Sequence, residues 1–259
     1  MNIPIYQVDA FTAKIFGGNP AAVCPLEEWL PDDIMQAIGE ENNLSETAFF
    51  LRRGDGFEIR WFTPKIEIEL AGHPTLAAAH VFFQHLGYSE PQISFHSKSG
   101  DLRASRKDGL IFLDFPAFDP RPVGLPEALV KGLGRRPAEV LKGRDYFAVF
   151  ASEAEVLGIE PDFVELSKLD CLGIIVTAKG DKSDFVSRFF APRAGVLEDP
   201  VTGSAHTLLI PYWALRLGKN VLHAFQVSKR RGELFCEYRG DRVFIGGRAV
   251  TFFQGRIEL

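Results

Sequence analysis

Short apolar runs, broken every few positions by glycine, proline or polar turn residues, dominate the chain. Ile3 to Phe11 reads as a strand and Ala21 to Cys24 as another, with Gly17-Gly18-Asn19-Pro20 predicted as the turn between them. Pro31-Asp32-Asp33 opens a helix, because proline suits the first turn and acids favour the positive dipole end. Ile34, Met35 and Ile38 give that helix one apolar stripe. Thr47 to Leu51 and Phe57 to Phe62 are predicted strands around the turn Arg53-Gly54-Asp55-Gly56. Further strands are expected at Ile93 to Phe95, Asp101 to Arg106 and Leu110 to Phe115, the last two joined by the hairpin signal Lys107-Asp108-Gly109. In the second half the pattern predicts strands at Tyr146 to Phe150, Cys171 to Ala178 and Phe185 to Phe190. More follow at Ala224 to Val227, Leu234 to Tyr238, Val243 to Ile245 and Val250 to Phe253.

Two helical segments stand apart from this background. Pro74 to Leu86 ends at Gly87, and Ser204 to Leu217 ends at Gly218. Both are apolar over most of their circumference, and a helix apolar all round is buried. Mainly antiparallel strands with one such helix per half predict an α+β fold, in which a curved sheet wraps a central helix. Helices spaced regularly between strands, as alternating βαβ units require, are not evident. The proline-rich stretch Pro116 to Pro122 is the expected linker between the halves.

Composition changes this picture little. Of 259 residues, 46% are hydrophobic and 24% charged, a balance that supports a sizeable core. A net charge of -5, with no long basic run, argues against a nucleic-acid partner. No stretch approaches the ~20 apolar residues of a membrane span, and the N-terminus lacks a signal-peptide layout, so a cytoplasmic protein with no membrane partner is expected. The three cysteines, Cys24, Cys171 and Cys236, lie far apart among apolar residues and read as buried free thiols.

Candidate chemistry gathers at two segments that echo each other. Glu69-Leu70-Ala71-Gly72-His73-Pro74-Thr75 leads into the first apolar helix, and Glu198-Asp199-Pro200-Val201-Thr202-Gly203-Ser204 into the second. A helix start exposes unpaired N–H groups and a positive dipole end, so the pair suggests a site for a small anionic metabolite. His73 is either a ligand contact or a turn residue. His73, His80 and His85 lack the i, i+4 spacing of a helical zinc pair, so no metal is expected. Asp199 either faces a ligand or closes an Asx turn, and Thr202 and Ser204 are both suited to cap the helix. Glu46, at the entry of an apolar strand, is either a proton-exchanging carboxyl or an ordinary exposed glutamate. The loop around Asn19 could present backbone N–H groups to a carboxylate. No nucleotide-binding or nucleophile-elbow pattern occurs.

Four stretches, VDAFTAKIFGGNPAAV (8–23), ENNLSETAFF (41–50), RWFTPKIEIELAGHPTLAAAHVFF (60–83) and FFAPRAGVLEDPVTGSAH (189–206), together resemble the PhzF-like family, named for the phenazine-biosynthesis isomerase. The resemblance implies the diaminopimelate epimerase-like fold: two similar domains, each a mainly antiparallel β-barrel around a central helix, with the site in the cleft between them. With the boundary at the proline-rich stretch, an N-terminal barrel is expected at residues 1–117 and a C-terminal barrel at 118–259, and by analogy with the fold, residues 249–259 return to complete the first. The resemblance also implies catalysis with no cofactor or metal, and a homodimer. The family's catalytic carboxylate falls on Glu46, and its substrate-binding residues on Gly72, His73, Asp199, Gly203 and Ser204; the reading of the loop adds Asn19. The implied activity is a proton shift within a small unsaturated or amino carboxylic acid, with Glu46 as single acid and base. Two alternatives stay open: a two-base epimerase or racemase, although neither glycine turn contains a cysteine, and a non-catalytic small-acid binding protein.

Overall fold

Buried and more exposed residues alternate along the hairpin strands between residues 92 and 116. Ile93 and Phe95, Leu102 and Ala104, and Ile111, Leu113 and Phe115 all point to one buried side of consecutive strands, while their neighbours are more exposed. The computed structural model describes residues 1–259. They form two units, Met1–Phe115 with Ile245–Leu259, and Pro116–Phe244. No helix is long and apolar enough to cross a membrane.

The first unit contains β1 (Asn2–Ala10), β2 (Asn19–Pro25), α1 (Asp32–Asn42), β3 (Glu46–Arg53), β4 (Gly56–Phe62), β5 (Glu67–Ile68), α2 (Gly72–Gln84), β6 (Gln92–Ser97), β7 (Gly100–Lys107) and β8 (Leu110–Pro116). β1 runs antiparallel to β2, and β2 parallel to β3. β3 is antiparallel to β4, which pairs with β5 antiparallel and with β6 parallel; β6, β7 and β8 follow as antiparallel neighbours. The last strand of the chain, Ala249–Glu258, pairs along the whole of β1. α2 is buried from His73 through Phe82 without a break. Its residues 77 to 79 are three fully buried alanines, small enough for the sheet to close on the helix.

The second unit contains β9 (Arg121–Pro122), α3 (Glu127–Leu133), β10 (Glu139–Lys142), β11 (Tyr146–Val149), α4 (Glu153–Leu157), α5 (Phe163–Leu166), β12 (Ile174–Lys179), β13 (Phe185–Ala191), β14 (Val196–Asp199), α6 (Gly203–Leu217), β15 (Val221–Gln226) and β16 (Gly232–Arg239). β17 (Arg242–Gly247) leads out of it to β18, the last strand. Its pairings repeat those of the first unit in order. β10 and β11 are antiparallel, β11 and β12 parallel, β12 and β13 antiparallel, β13 and β15 parallel, β15 and β16 antiparallel, with short β14 beside β13 as β5 lies beside β4. The echo noticed in the sequence is thus part of a full internal repeat, with α6 in the place of α2.

α6 carries Pro211 in its interior, which removes the N–H that would bond the carbonyl four residues back. That carbonyl, on Thr207, accepts the N–H of Phe118 at 3.0 Å instead. Leu208, Leu209, Ile210, Trp213 and Ala214 fill the centre of the unit around this point.

Several expectations need correction. Asn19 and Pro20 belong to β2 rather than to a turn, since Asn19 pairs with Ala10 in the ladder. Each unit contains parallel pairs with a helix in the crossover, so βαβ connections are present after all; two of these helices, α4 and α5, are too short to show a period. They were not foreseen for that reason, nor was the seven-residue α3, and β10 is a four-residue strand too short to show alternation. α4 and α5 do carry capping signals, however: Ser152 accepts from the Glu155 N–H, and Asp162 from the Val164 and Glu165 N–H groups.

Candidate active site

In the first unit, three elements meet at the start of α2. β2 contributes Asn19, β3 opens on Glu46, and α2 contributes Gly72 and His73. Glu46 pairs with Ala21 in the parallel β2–β3 ladder, which fixes its backbone beside the end of the Asn19 strand. The N-cap of α2, Ala71, has no side chain able to bond the first-turn N–H groups. Thr75 turns its hydroxyl back to the Ala71 carbonyl, at 2.6 Å.

His73 is buried, and its two ring nitrogens face different partners. Nδ1 lies 3.2 Å from the side-chain amide nitrogen of the fully buried Asn19. Nε2 lies 3.2 Å from Glu46 Oε2, an approach too poorly aligned to count as a hydrogen bond. Burial pulls the imidazole down to about 3, and the Pro20 carbonyl opposes this only in part. His73 is therefore neutral at physiological pH. A neutral imidazole Nε2 either donates or accepts, according to which nitrogen holds the proton. It can face a carboxylate or a carboxylic acid equally well.

In the second unit, Asp199 ends β14 and Gly203 and Ser204 open α6. Thr202 is the N-cap, but its hydroxyl does not cap the helix. It donates to Asp199 Oδ2 at 2.5 Å, while its N–H donates to Gln226 Oε1 at 2.8 Å. Gln226 is fully buried, and its amide also donates to the Asp199 carbonyl at 2.8 Å and to Thr202 Oγ1 at 3.1 Å. Three bonds from one side chain thus set the shape of the Asp199–Thr202 turn. Ser204 lies within the helix, and its Oγ accepts from Arg144 Nη2 at 3.1 Å. The capping expectation for Thr202 and Ser204 is corrected accordingly, because both hydroxyls have nearer partners. Gln226 and Arg144 were missed. Gln226 ends an alternating strand, and Arg144 stands in a charged turn, Lys142-Gly143-Arg144-Asp145, so neither carried a local signal.

One turn into α6, His206 is fully buried. Its Nδ1 donates to the Thr202 carbonyl at 2.8 Å, and burial lowers the ring to about 4. The thiols lie elsewhere. Cys24 and Cys236 are buried, and desolvation raises both well above the ordinary thiol range; half-buried Cys171 is raised as well, mainly by burial. No three or more His, Cys, Asp or Glu side chains are grouped to hold a metal ion. Two surface cavities, of about 420 Å³ beside His80 and Arg106 and about 480 Å³ beside Glu139 and Trp213, are lined by none of the candidate residues.

Residues 8–255 match the profile of the family described as phenazine biosynthesis-like protein. The chain is 49% identical, over the full length of both, to an uncharacterised isomerase of Pseudomonas aeruginosa. It superposes on the crystal structure of a phenazine biosynthesis protein of the PhzF family from Enterococcus faecalis with a TM-score of 0.98 and 48% identity, covering 100% of each chain. A probable proline racemase from Agrobacterium radiobacter K84, at 12% identity and a TM-score of 0.68, covers 99% of this chain and 93% of its own, and shares the fold alone.

Proposed function

The chain belongs to the phenazine biosynthesis-like (PhzC–PhzF) family, and from that premise we propose that it is an isomerase that moves a proton within a small unsaturated or amino carboxylic acid, with Glu46 as the proton carrier. The observation that carries the reading is the 3.2 Å approach of Glu46 Oε2 to a neutral, buried His73 Nε2. A group that both removes and returns a proton alternates between carboxylate and carboxylic acid. A neutral imidazole meets both states without a change of its own charge.

In the proposed sequence Glu46 takes a proton from a carbon made acidic by the adjacent unsaturation. The electron pair of that C–H bond delocalises into the unsaturated acid. The first-turn N–H groups at the start of α2, from Gly72 onward, offer donors with His73 for the negative charge that develops. Asp199, its carboxylate held by Thr202, takes a polar N–H or O–H of the ligand. Glu46 then returns a proton to another carbon, in part of the turnovers after its own O–H has exchanged with solvent, so no net proton is consumed. Asn19 supports His73 from the other side of the ring.

A two-base reaction run by thiols is disfavoured by the burial of Cys24 and Cys236, which keeps both protonated. The test is hydrogen exchange in deuterated water, followed by NMR across a panel of cyclohexadienyl and amino acids. Wild type is expected to exchange at least one of them, and Glu46→Gln to lose roughly a hundredfold or more in rate, the usual scale of a general base. Equal exchange by both proteins would sink the assignment.

A further inference from the structure

Arg144 is a charged side chain that touches Ser204, a candidate binding residue of the second unit, and has no part in the sequence just described. It occupies the turn 143–145 between β10 and β11. Packing holds this turn over the start of α6. A Cβ on Gly143 would lie 2.9 Å from Leu208 Cδ2, one helical turn beyond Ser204. A further turn along, Tyr212 packs against Phe147 of β11 and donates to Glu139 of β10 at 2.8 Å. The β10–β11 hairpin therefore lies along the Ser204–Leu208–Tyr212 stripe, and Arg144 falls beside Ser204.

Asp145 aims the guanidinium. Its carboxylate is fully buried; Oδ1 accepts the Gly173 N–H at 3.0 Å, and Oδ2 accepts Arg144 Nε and Nη2 at 3.2 and 2.6 Å. With the bond from Nη2 to Ser204, Nε and Nη2 are committed, while Nη1 makes no hydrogen bond to the protein. The Arg144 side chain is 48% exposed. Ser204 Oγ, accepting from Arg144, keeps its own proton to donate. An O–H donor and an N–H edge thus stand side by side on a cationic group.

The internal repeat gives this placement a counterpart. In the first unit the β1–β2 connection leads into Asn19, which reaches His73, the second residue of α2. In the second unit the β10–β11 connection carries Arg144, which reaches Ser204, the second residue of α6. The same position in the repeat is therefore polar in both halves and cationic in one.

We propose that Arg144 is a specificity-determining residue that binds the carboxylate of the ligand, one oxygen on Nη1 and the other on the Ser204 hydroxyl. The inference rests on the reading of the ligand as a small carboxylic acid. Two donors on separate side chains match the two oxygens of a carboxylate and leave a neutral carboxamide, with only one acceptor oxygen, half satisfied.

Calorimetric titration of the full-length protein tests this. The probes are cyclohexa-2,5-diene-1-carboxylate and a panel of small cyclic and amino carboxylates, each beside its carboxamide, with inorganic phosphate as a further arm. Wild type should prefer at least one carboxylate over its carboxamide by roughly tenfold or more, the scale of a charge-assisted hydrogen bond. Arg144→Met should bring that ratio close to one. Thermal unfolding without ligand checks its fold, and Arg144→Gln, which keeps amide donors for Asp145, should give the same loss if the methionine variant is unstable. A ratio unchanged in both variants, no carboxylate preference across the panel, or phosphate bound more tightly than every carboxylate overturns the proposal. Glu46→Gln should keep the wild-type preference. Its exchange rate reports on the proton carrier alone, so the two readings fail separately.

Discussion

At the scale of single residues, the first unit's site depends on one histidine being kept neutral. The shift of His73 to about 3 comes first from burial, with the Pro20 carbonyl opposing it. NMR of the His73 ring is expected to show no protonation from pH 8 down to about pH 4. A titration near 6.5, the ordinary value, would mean that the ring is charged beside Glu46, and the two-state role given to it would fail. Sequence reading singled out Glu46, His73, Asp199 and Ser204 through the family resemblance of the stretches that hold them, where position alone left their roles open. It could not reach Arg144 or Gln226. Each acts through a fold contact, one over a hairpin and one across a strand pair, that leaves no trace in neighbouring residues.

At the scale of elements, α2 and α6 are the members on which both sites are mounted. Both were legible, since an all-round apolar helix has no other place than the interior. The hairpin at Lys107-Asp108-Gly109 was legible for an equally local reason, with Asp108 and Gly109 both at positive φ. β10 was not, because its buried pair Val140 and Leu141 is too short to alternate. The load on α6 is measurable: Leu209 is fully buried, and Leu209→Ala should cost about 2–5 kcal/mol in denaturant unfolding. A loss below about 0.5 kcal/mol, the range of ordinary surface changes, would show that the helix is not packed as described.

At the scale of the whole molecule, the chain is one arrangement of strands and helices used twice. The repeat gave each half an equivalent helix start, and the candidate chemistry differs between them: Glu46 with a neutral histidine in one, Asp199 and Ser204 with a cation in the other. The duplication also repeats a liability. His73 near the start of α2 and His206 near the start of α6 are both buried with depressed values, and His80 follows with its ring lowered to about 4 by burial and then by His85. A depressed histidine is neutral in the fold and protonates first in the unfolded chain, so its stabilising effect is complete above about pH 6.5 and declines as the pH falls toward the folded value. Urea midpoints should therefore drop steadily from pH 7 to pH 4, with each such histidine adding about 1.4 kcal/mol per pH unit to the slope. His206→Gln should flatten that slope, and an unchanged slope would contradict the assignment.

The claim that a single carboxyl both takes and returns the proton is tested most directly by label transfer. An acid from the exchange panel, deuterated at the carbon that loses its proton, is converted in ordinary water, and deuterium at the receiving carbon is measured by mass spectrometry at early turnover. With Glu46 as sole carrier, part of the deuterium is delivered intact to the new position on the same face of the molecule, and Glu46→Gln delivers none. Product that carries only solvent hydrogen at that position, at every stage of turnover, would contradict the account, in which Glu46 holds the abstracted proton until it is delivered.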